Sequence, residues 1–206
     1  MDGTMTRALN RLMQGVLTAC FAAVLTLAAP SNASAQSLIR DAEIEETLRV
    51  YTEPLLRAAG LDPNDVTIYI VNDPSINAFV AGGQNIFVHT GLILAADNPN
   101  EIIGVLAHET GHIAGGHLAR SREAMQQAMA PALISIGLGV LAIVSGAPDA
   151  GAALISGSQA FAMGSFVRFT QVQESAADSA AMEYLRLSGQ SPQGLLDFFN
   201  ENIRPY

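Results

Sequence analysis

His108-Glu109-Thr110-Gly111-His112 sets two imidazoles four residues apart with a carboxylate between them. On a helix, residues at that spacing are separated by about 40° around the axis, so both histidines leave one face and can grip a single metal ion. Glu109 lies about 100° round from the first histidine, where its carboxylate reaches a metal-bound water without being a ligand. That is the geometry of a general base. Imidazole nitrogen suits Zn²⁺, and no oxygen-rich loop of the kind that holds Ca²⁺ is present, so one zinc per chain is the expected cofactor.

A strong start signal precedes the motif. In Asn98-Pro99-Asn100-Glu101 the asparagine can cap, Pro99 fits the first helical position and Glu101 can reach back as in a capping box. The pattern predicts a helix that carries the motif and continues through Arg120 and Glu123 toward Pro131. Gly111, Gly115 and Gly116 each cost that helix about 1 kcal/mol relative to alanine, which points to close packing against a neighbouring element. On a continuous helix His117 falls about 140° from His112, so it cannot complete the same site and reads as a packing or surface histidine.

A third protein ligand is required. Glu174 is the best candidate because Asp178 follows four residues later on the same predicted helical face, placed to orient a ligand histidine from behind. Histidine and glutamate at such spacings also occur on plain solvated helix faces. Here the residues around the H-E-T-G-H run are apolar, which favours the metal site.

The rest of the chain predicts one α+β unit. Ile44, Leu48, Tyr51 and Leu55 recur at helical spacing between Asp41 and Ala59, with Pro54 inside and Gly60 at the end. Val66, Ile68 and Ile70 alternate with Thr67, Tyr69 and Val71 as in a strand. Phe79-Val80 and Ile86-Phe87-Val88 flank Gly82-Gly83-Gln84 as a hairpin would, giving a sheet of about three strands. His89 closes the last of these, where an exposed or hydrogen-bonded histidine is ordinary.

Beyond the motif, residues 132–144 and 150–163 are almost wholly small and apolar, with a turn-like segment from Ser145 to Asp149, so they predict a helical hairpin. A further helix is expected from Phe166 to Leu187, ended by Gly189, and a last one after Ser191-Pro192. The apolar pair has two readings: a core hairpin, or a surface that touches the membrane or an outer-membrane partner. Each half is short for a span, which favours a protein-covered or interfacial position.

Composition narrows the function. Nineteen acidic residues against ten basic ones, all arginine, give a net charge of −9 and no basic stripe, so nucleic-acid binding is excluded as a function class. Arg7 and Arg11 precede an apolar run from Val16 to Ala29, followed by Pro30 and Ala33-Ser34-Ala35. This reads as a Sec-type signal peptide over residues 1–35, cut after Ala35, with residues 36–206 exported to the periplasm. Leu17-Thr18-Ala19-Cys20 is a rival site resembling a lipoprotein box, although the apolar run mostly follows Cys20. Cys20 is the single cysteine, so cleavage at Ala35 leaves no thiol and no disulfide.

With H-E-T-G-H followed by Glu174-x-x-Ala177-Asp178, the chain resembles the HtpX, BepA and Oma type of gluzincin metallopeptidase, in the periplasmic branch. The segments Asp73-Pro74-Ser75-Ile76-Asn77-Ala78-Phe79, Gly82-Gly83 and Ile86 to Leu92 also look like that family, so the resemblance covers about residues 41–200. It implies a mostly helical zincin-type fold with the small sheet packed on the zinc-binding helix. It also implies zinc ligands His108, His112 and Glu174, a catalytic Glu109, and a sheet edge at Asn77, Ala78 and Phe79 that holds substrate extended. Unfolded or misassembled envelope proteins are the implied substrates, and the outer-membrane assembly machinery an implied partner. Peripheral membrane contact would run through residues 132–163.

Two departures stand out. Gln171 occupies a position where relatives often carry arginine, and nothing after Tyr206 supplies the histidine-bearing segment and tetratricopeptide-repeat region of BepA-like relatives. The rival reading is therefore a chaperone or assembly factor that keeps the protease fold and works by binding.

Overall fold

The computed structural model describes residues 37–203. The expected signal peptide, its cleavage site and Cys20 lie outside the described residues. The first element is a short strand, β1 (Leu38–Ile39), followed by helix α1 (Ala42–Ala58). Asp41 caps α1 by accepting from the backbone N–H of Glu43 and Ile44, and the helix buries Leu48, Thr52, Leu55 and Leu56.

Three further strands follow: β2 (Thr67–Val71), β3 (Ala78–Ala81) and β4 (Asn85–His89). The sheet runs in the order β1-β2-β4-β3, with β2 and β4 parallel and the outer pairs antiparallel. It therefore has four strands where sequence patterning predicts about three. Leu38 and Ile39 pair with Val71 and Ile70, a stretch too short to reveal itself by alternation.

The period of two sorts the sheet faces. Ile70, Ile86 and Val88 are almost fully buried in the core with Leu48, Leu55, Leu106 and Leu185. On the other face Tyr69, Phe87 and Phe79 lie in register across three strands and stack with ring centroids 5.1 Å apart. The hairpin joining β3 to β4 turns through Gly82 and Gly83, both at positive φ.

A short helix, α2 (Thr90–Ala95), leads to α3 (Pro99–Ala114), which carries the H-E-T-G-H run. Asn98 caps α3 through the N–H of Asn100. The buried Glu101 carboxylate turns back to the Asp97 N–H and the Asn98 side chain, a capping box displaced by one residue.

Instead of continuing toward Pro131, α3 stops. Gly116 adopts φ 62°, a left-handed conformation that L side chains resist, and α4 (His117–Val144) starts afresh in a new direction. Helix α5 (Pro148–Ser188) runs without interruption for 41 residues, so the second limb of the hairpin and the helix expected from Phe166 are one element. Gly189 ends it at φ 73°, and α6 (Gln193–Phe198) follows.

Two glycines on α3 let neighbouring backbones come close, Gly111 as expected from the sequence and Gly104 in addition. A Cβ on Gly104 would lie 2.6 Å from the Leu195 backbone of α6, and one on Gly111 would lie 2.8 Å from the Ala177 carbonyl oxygen of α5. The second contact brings the helix bearing Glu174 against the helix bearing the histidine pair.

The distal parts of α4 and α5 form the expected hairpin, crossing where Gly139 meets Gly151. The reading of this stretch as a core hairpin does not hold among the described residues. Leu133, Leu141, Val144, Phe161 and Met163 are all more than half exposed.

Candidate metal centre

Helix α3 projects His108 and His112 into a cavity of about 660 Å³, and α5 brings Glu174 and Asp178 to its opposite wall. Three donor atoms converge there. His108 Nε2 lies 3.0 Å from His112 Nε2 and 3.3 Å from Glu174 Oε2, and His112 Nε2 lies 3.6 Å from the same oxygen. A tetrahedral zinc with bonds of about 2.0–2.1 Å has donors about 3.3–3.4 Å apart. The three separations bracket that value.

Ring tautomers strengthen the fit. The Asp178 carboxylate can only accept, so the 2.8 Å contact makes His108 Nδ1 the proton carrier and leaves Nε2 as a lone pair. When His112 also carries its proton on Nδ1, two imidazole lone pairs and a carboxylate oxygen meet at one point, and a cation between them relieves their repulsion. The donor set therefore fits a divalent cation with nitrogen and oxygen preference, zinc first.

Glu109 is buried in the same cavity wall, 7% exposed. Burial, with the Glu174 charge adding to it, pushes its carboxyl up to about 8. His112 is shifted down, chiefly by burial and then by the neighbouring His108. The Phe199 ring meets His108 edge-on at 6.0 Å, covering one side of the imidazole.

His117 is a buried packing histidine outside the donor group, as its spacing predicts, but its contact with His112 is one that spacing does not predict. The 140° separation assumes one continuous helix, but the left-handed Gly116 interrupts it and leaves His117 buried with Nδ1 3.0 Å from His112 Nδ1. A Cβ on Gly115 would collide with the His117 ring, so glycine is required there for the imidazole to fold back. His117 thus stands behind His112 as Asp178 stands behind His108. The Gly115-Gly116 doublet is the legible signal.

Gln173 also escapes sequence reasoning. It accepts from Ser121 Oγ and donates to the His117 carbonyl, bracing the start of α4 against the residue before Glu174. Replacing His117 by alanine is expected to weaken zinc binding about 10–100-fold, as loss of a hydrogen bond behind a ligand histidine typically does. Asparagine at the same position should recover part of that loss. Competition with a chromogenic chelator measures both.

The rim opposite the helices is formed by residues 76–80 of the loop before β3 and of β3 itself, which includes Asn77, Ala78 and Phe79. β3 is an edge strand, paired on one side with β4. A clamp fixes the loop before it. Thr90 Oγ1 donates to the Asp73 carbonyl and accepts its N–H, the Gly91 N–H donates to the same carbonyl, and Ser75 Oγ pairs with His89 Nδ1 at 2.8 Å. His89 is thus a buried structural histidine among the described residues, away from the donor cluster. Asp97, Glu101 and Glu201 form a second acidic group, but both Glu101 oxygens are already engaged in the helix cap.

The matching family and the names of the relatives are those of a metalloprotease domain, and the fold carries a possible His/His/Glu metal-binding group. The chain belongs to peptidase family M48, whose profile matches residues 39–205. It is 35% identical over 165 residues to the beta-barrel assembly-enhancing protease of Yersinia pestis, covering 80% of this chain and 34% of that protein. The Escherichia coli K12 protein of the same name is 34% identical over 133 residues, covering 65% and 27%. Metalloprotease LoiP of Escherichia coli K12 is 32% identical over 145 residues, covering 68% and 51%. The chain spans about a third of the length of the assembly-enhancing proteases it matches.

Proposed function

We propose that this chain is an exported zinc metalloendopeptidase that hydrolyses peptide bonds of unfolded or misassembled envelope proteins. The observation that carries the reading is the convergence of His108, His112 and Glu174 at tetrahedral spacing beside the buried Glu109. Bound at that point, Zn²⁺ would supply Lewis acidity toward water and toward a peptide carbonyl.

The chain's own residues do the rest. Glu109 takes a proton from the attacking water and delivers it to the leaving amine nitrogen. Asp178 holds the His108 ring in the tautomer that presents Nε2, and His117 would do the same for His112 by accepting from His112 Nδ1–H. The free edge of β3 offers backbone N–H and C=O groups to an extended substrate, which recognises main chain and suits unfolded polypeptides.

The relatives named for β-barrel assembly support a role at the outer-membrane assembly machinery. The sequence of residues 1–35 supports export and cleavage after Ala35, leaving residues 36–206 as the catalytic domain in the periplasm. Residues 132–163 would provide membrane contact.

Zinc content measured alongside casein cleavage by the wild type and Glu109→Gln tests the reading. One zinc per chain, with cleavage by the wild type alone, is expected. Normal turnover by the variant would sink the mechanism.

A further inference from the structure

We propose that Phe79 determines specificity by selecting an aromatic side chain on the substrate, which becomes the fourth ring of a stack that crosses the sheet. This rests on the reading of the chain as a peptidase that holds substrate along the β3 edge, and it adds the class of side chain recognised there.

Pairing within the sheet sets the register. β3 and β4 are antiparallel, with Ala78 opposite Val88 and Phe79 opposite Phe87. One step earlier, the His89 N–H donates to the Asn77 carbonyl. Backbone groups along such a strand point alternately to its two sides. Asn77, Phe79 and Ala81 therefore turn their N–H and C=O groups toward β4, and Ala78 and Val80 turn theirs to the free edge. An antiparallel substrate strand would bond to Ala78 and Val80. Its residue opposite Phe79 then forms a pair without backbone hydrogen bonds, in which the Cα atoms stand about 4.5 Å apart and the side chains lie closest.

The rings supply the chemistry. Phe79 and Phe87 stack with centroids 5.1 Å apart and planes 9° apart, and Phe87 and Tyr69 with centroids 5.1 Å and planes 19° apart. Neighbouring strands lie about 4.7–4.9 Å apart, so each ring stands nearly over its own strand and the stack repeats with the sheet. Its last ring, on the edge strand, is half-buried Phe79, which also lines the cavity of the metal centre. A strand added at that edge carries one side chain to the outer side of Phe79 at the same spacing. An aromatic ring there gains stacking beyond the area it buries, whereas an aliphatic chain gains the area alone. A carboxylate meets the negative face of the ring and is repelled.

Phe79 is held ready for this role. The His89 ring, 3% exposed, meets it edge-on at 5.7 Å with planes 86° apart, and His89 is itself tied to Ser75 Oγ through Nδ1. A ring fixed in advance costs little ordering when substrate arrives. His89 is thus a positioning residue, acting on substrate through Phe79.

Zinc-loaded wild type and Phe79→Ala are given casein and other reduced, denatured proteins of known sequence, and the cleavage sites are read by mass spectrometry. Wild-type sites should carry Phe, Tyr or Trp at one fixed position relative to the scissile bond. Alanine at that position of a synthetic peptide should lower kcat/KM about tenfold. Phe79→Ala should erase the preference and Phe79→Tyr should keep it, both with one zinc per chain. If Phe79→Ala does not fold, Phe79→Leu keeps the bulk, removes the ring and should erase the preference as well. Cleavage with no preferred aromatic position, or with arginine enriched there instead, would overturn the proposal and leave the peptidase reading standing. So would an aromatic preference that survives the loss of the Phe79 ring. A zinc-loaded wild type that cuts none of these proteins would overturn both.

Discussion

Glu109→Gln is expected to keep one zinc per chain and to lose casein hydrolysis by between about a hundred- and ten-thousand-fold, the usual worth of a positioned acid–base group. Glutamine has nearly the same shape and fills the same 7% exposed site, so the helix and the ligand geometry have no reason to change. What disappears is the ability to accept a proton. A variant that lost metal as well would place Glu109 among the ligands instead.

The same substitution separates out a pH effect. Burial raises the Glu109 carboxyl from an ordinary 4.5 to about 8 in the metal-free fold. A group whose folded value is raised contributes stability that is complete below the unfolded value and is lost as pH climbs through the folded one. Metal-free wild type should therefore lose thermal stability, relative to metal-free Glu109→Gln, between about pH 4.5 and pH 8. Melting curves of the two apoproteins across that window check it. Parallel profiles would mean that the buried carboxyl is not the source.

Glu174→Ala should cost more zinc affinity than any change behind the histidines. It removes one of three donors and the only negative one, leaving two neutral imidazoles to hold a doubly charged ion. The loss should exceed the about 10–100-fold expected for Asp178→Asn, where all three donors remain and only the support of His108 weakens. Chelator competition on the two variants gives the order. Unchanged affinity in Glu174→Ala would mean that the third ligand comes from elsewhere.

The parts legible in the sequence are those whose cause is local. Asn98, Pro99 and Glu101 announce the start of α3 because capping is a matter of three or four residues. Glu174 with Asp178 can be read as a pair because helical spacing puts them on one face, and α5 is indeed helical there. The contact of His117 with His112 is missed because one left-handed glycine changes every angle that follows it, and propensity treats Gly116 as a small cost rather than a corner. β1 escapes because a two-residue strand exists only through its partner, Ile70-Val71. The join between the hairpin and the Glu174 helix escapes because composition changes from small and apolar to mixed near Phe166, yet the helix runs through that change unbroken.

That unbroken helix works as a lever. Its fulcrum is the place where Ala177 rests on Gly111, about 4.5 Å from Glu174 and about 42 Å from the tip at Asp149. A displacement of about 5 Å at the tip, carried by a rigid helix, reaches Glu174 scaled down to about 0.5 Å. Because Glu174 lies so close to that contact, the tip can sway while the carboxylate keeps its place.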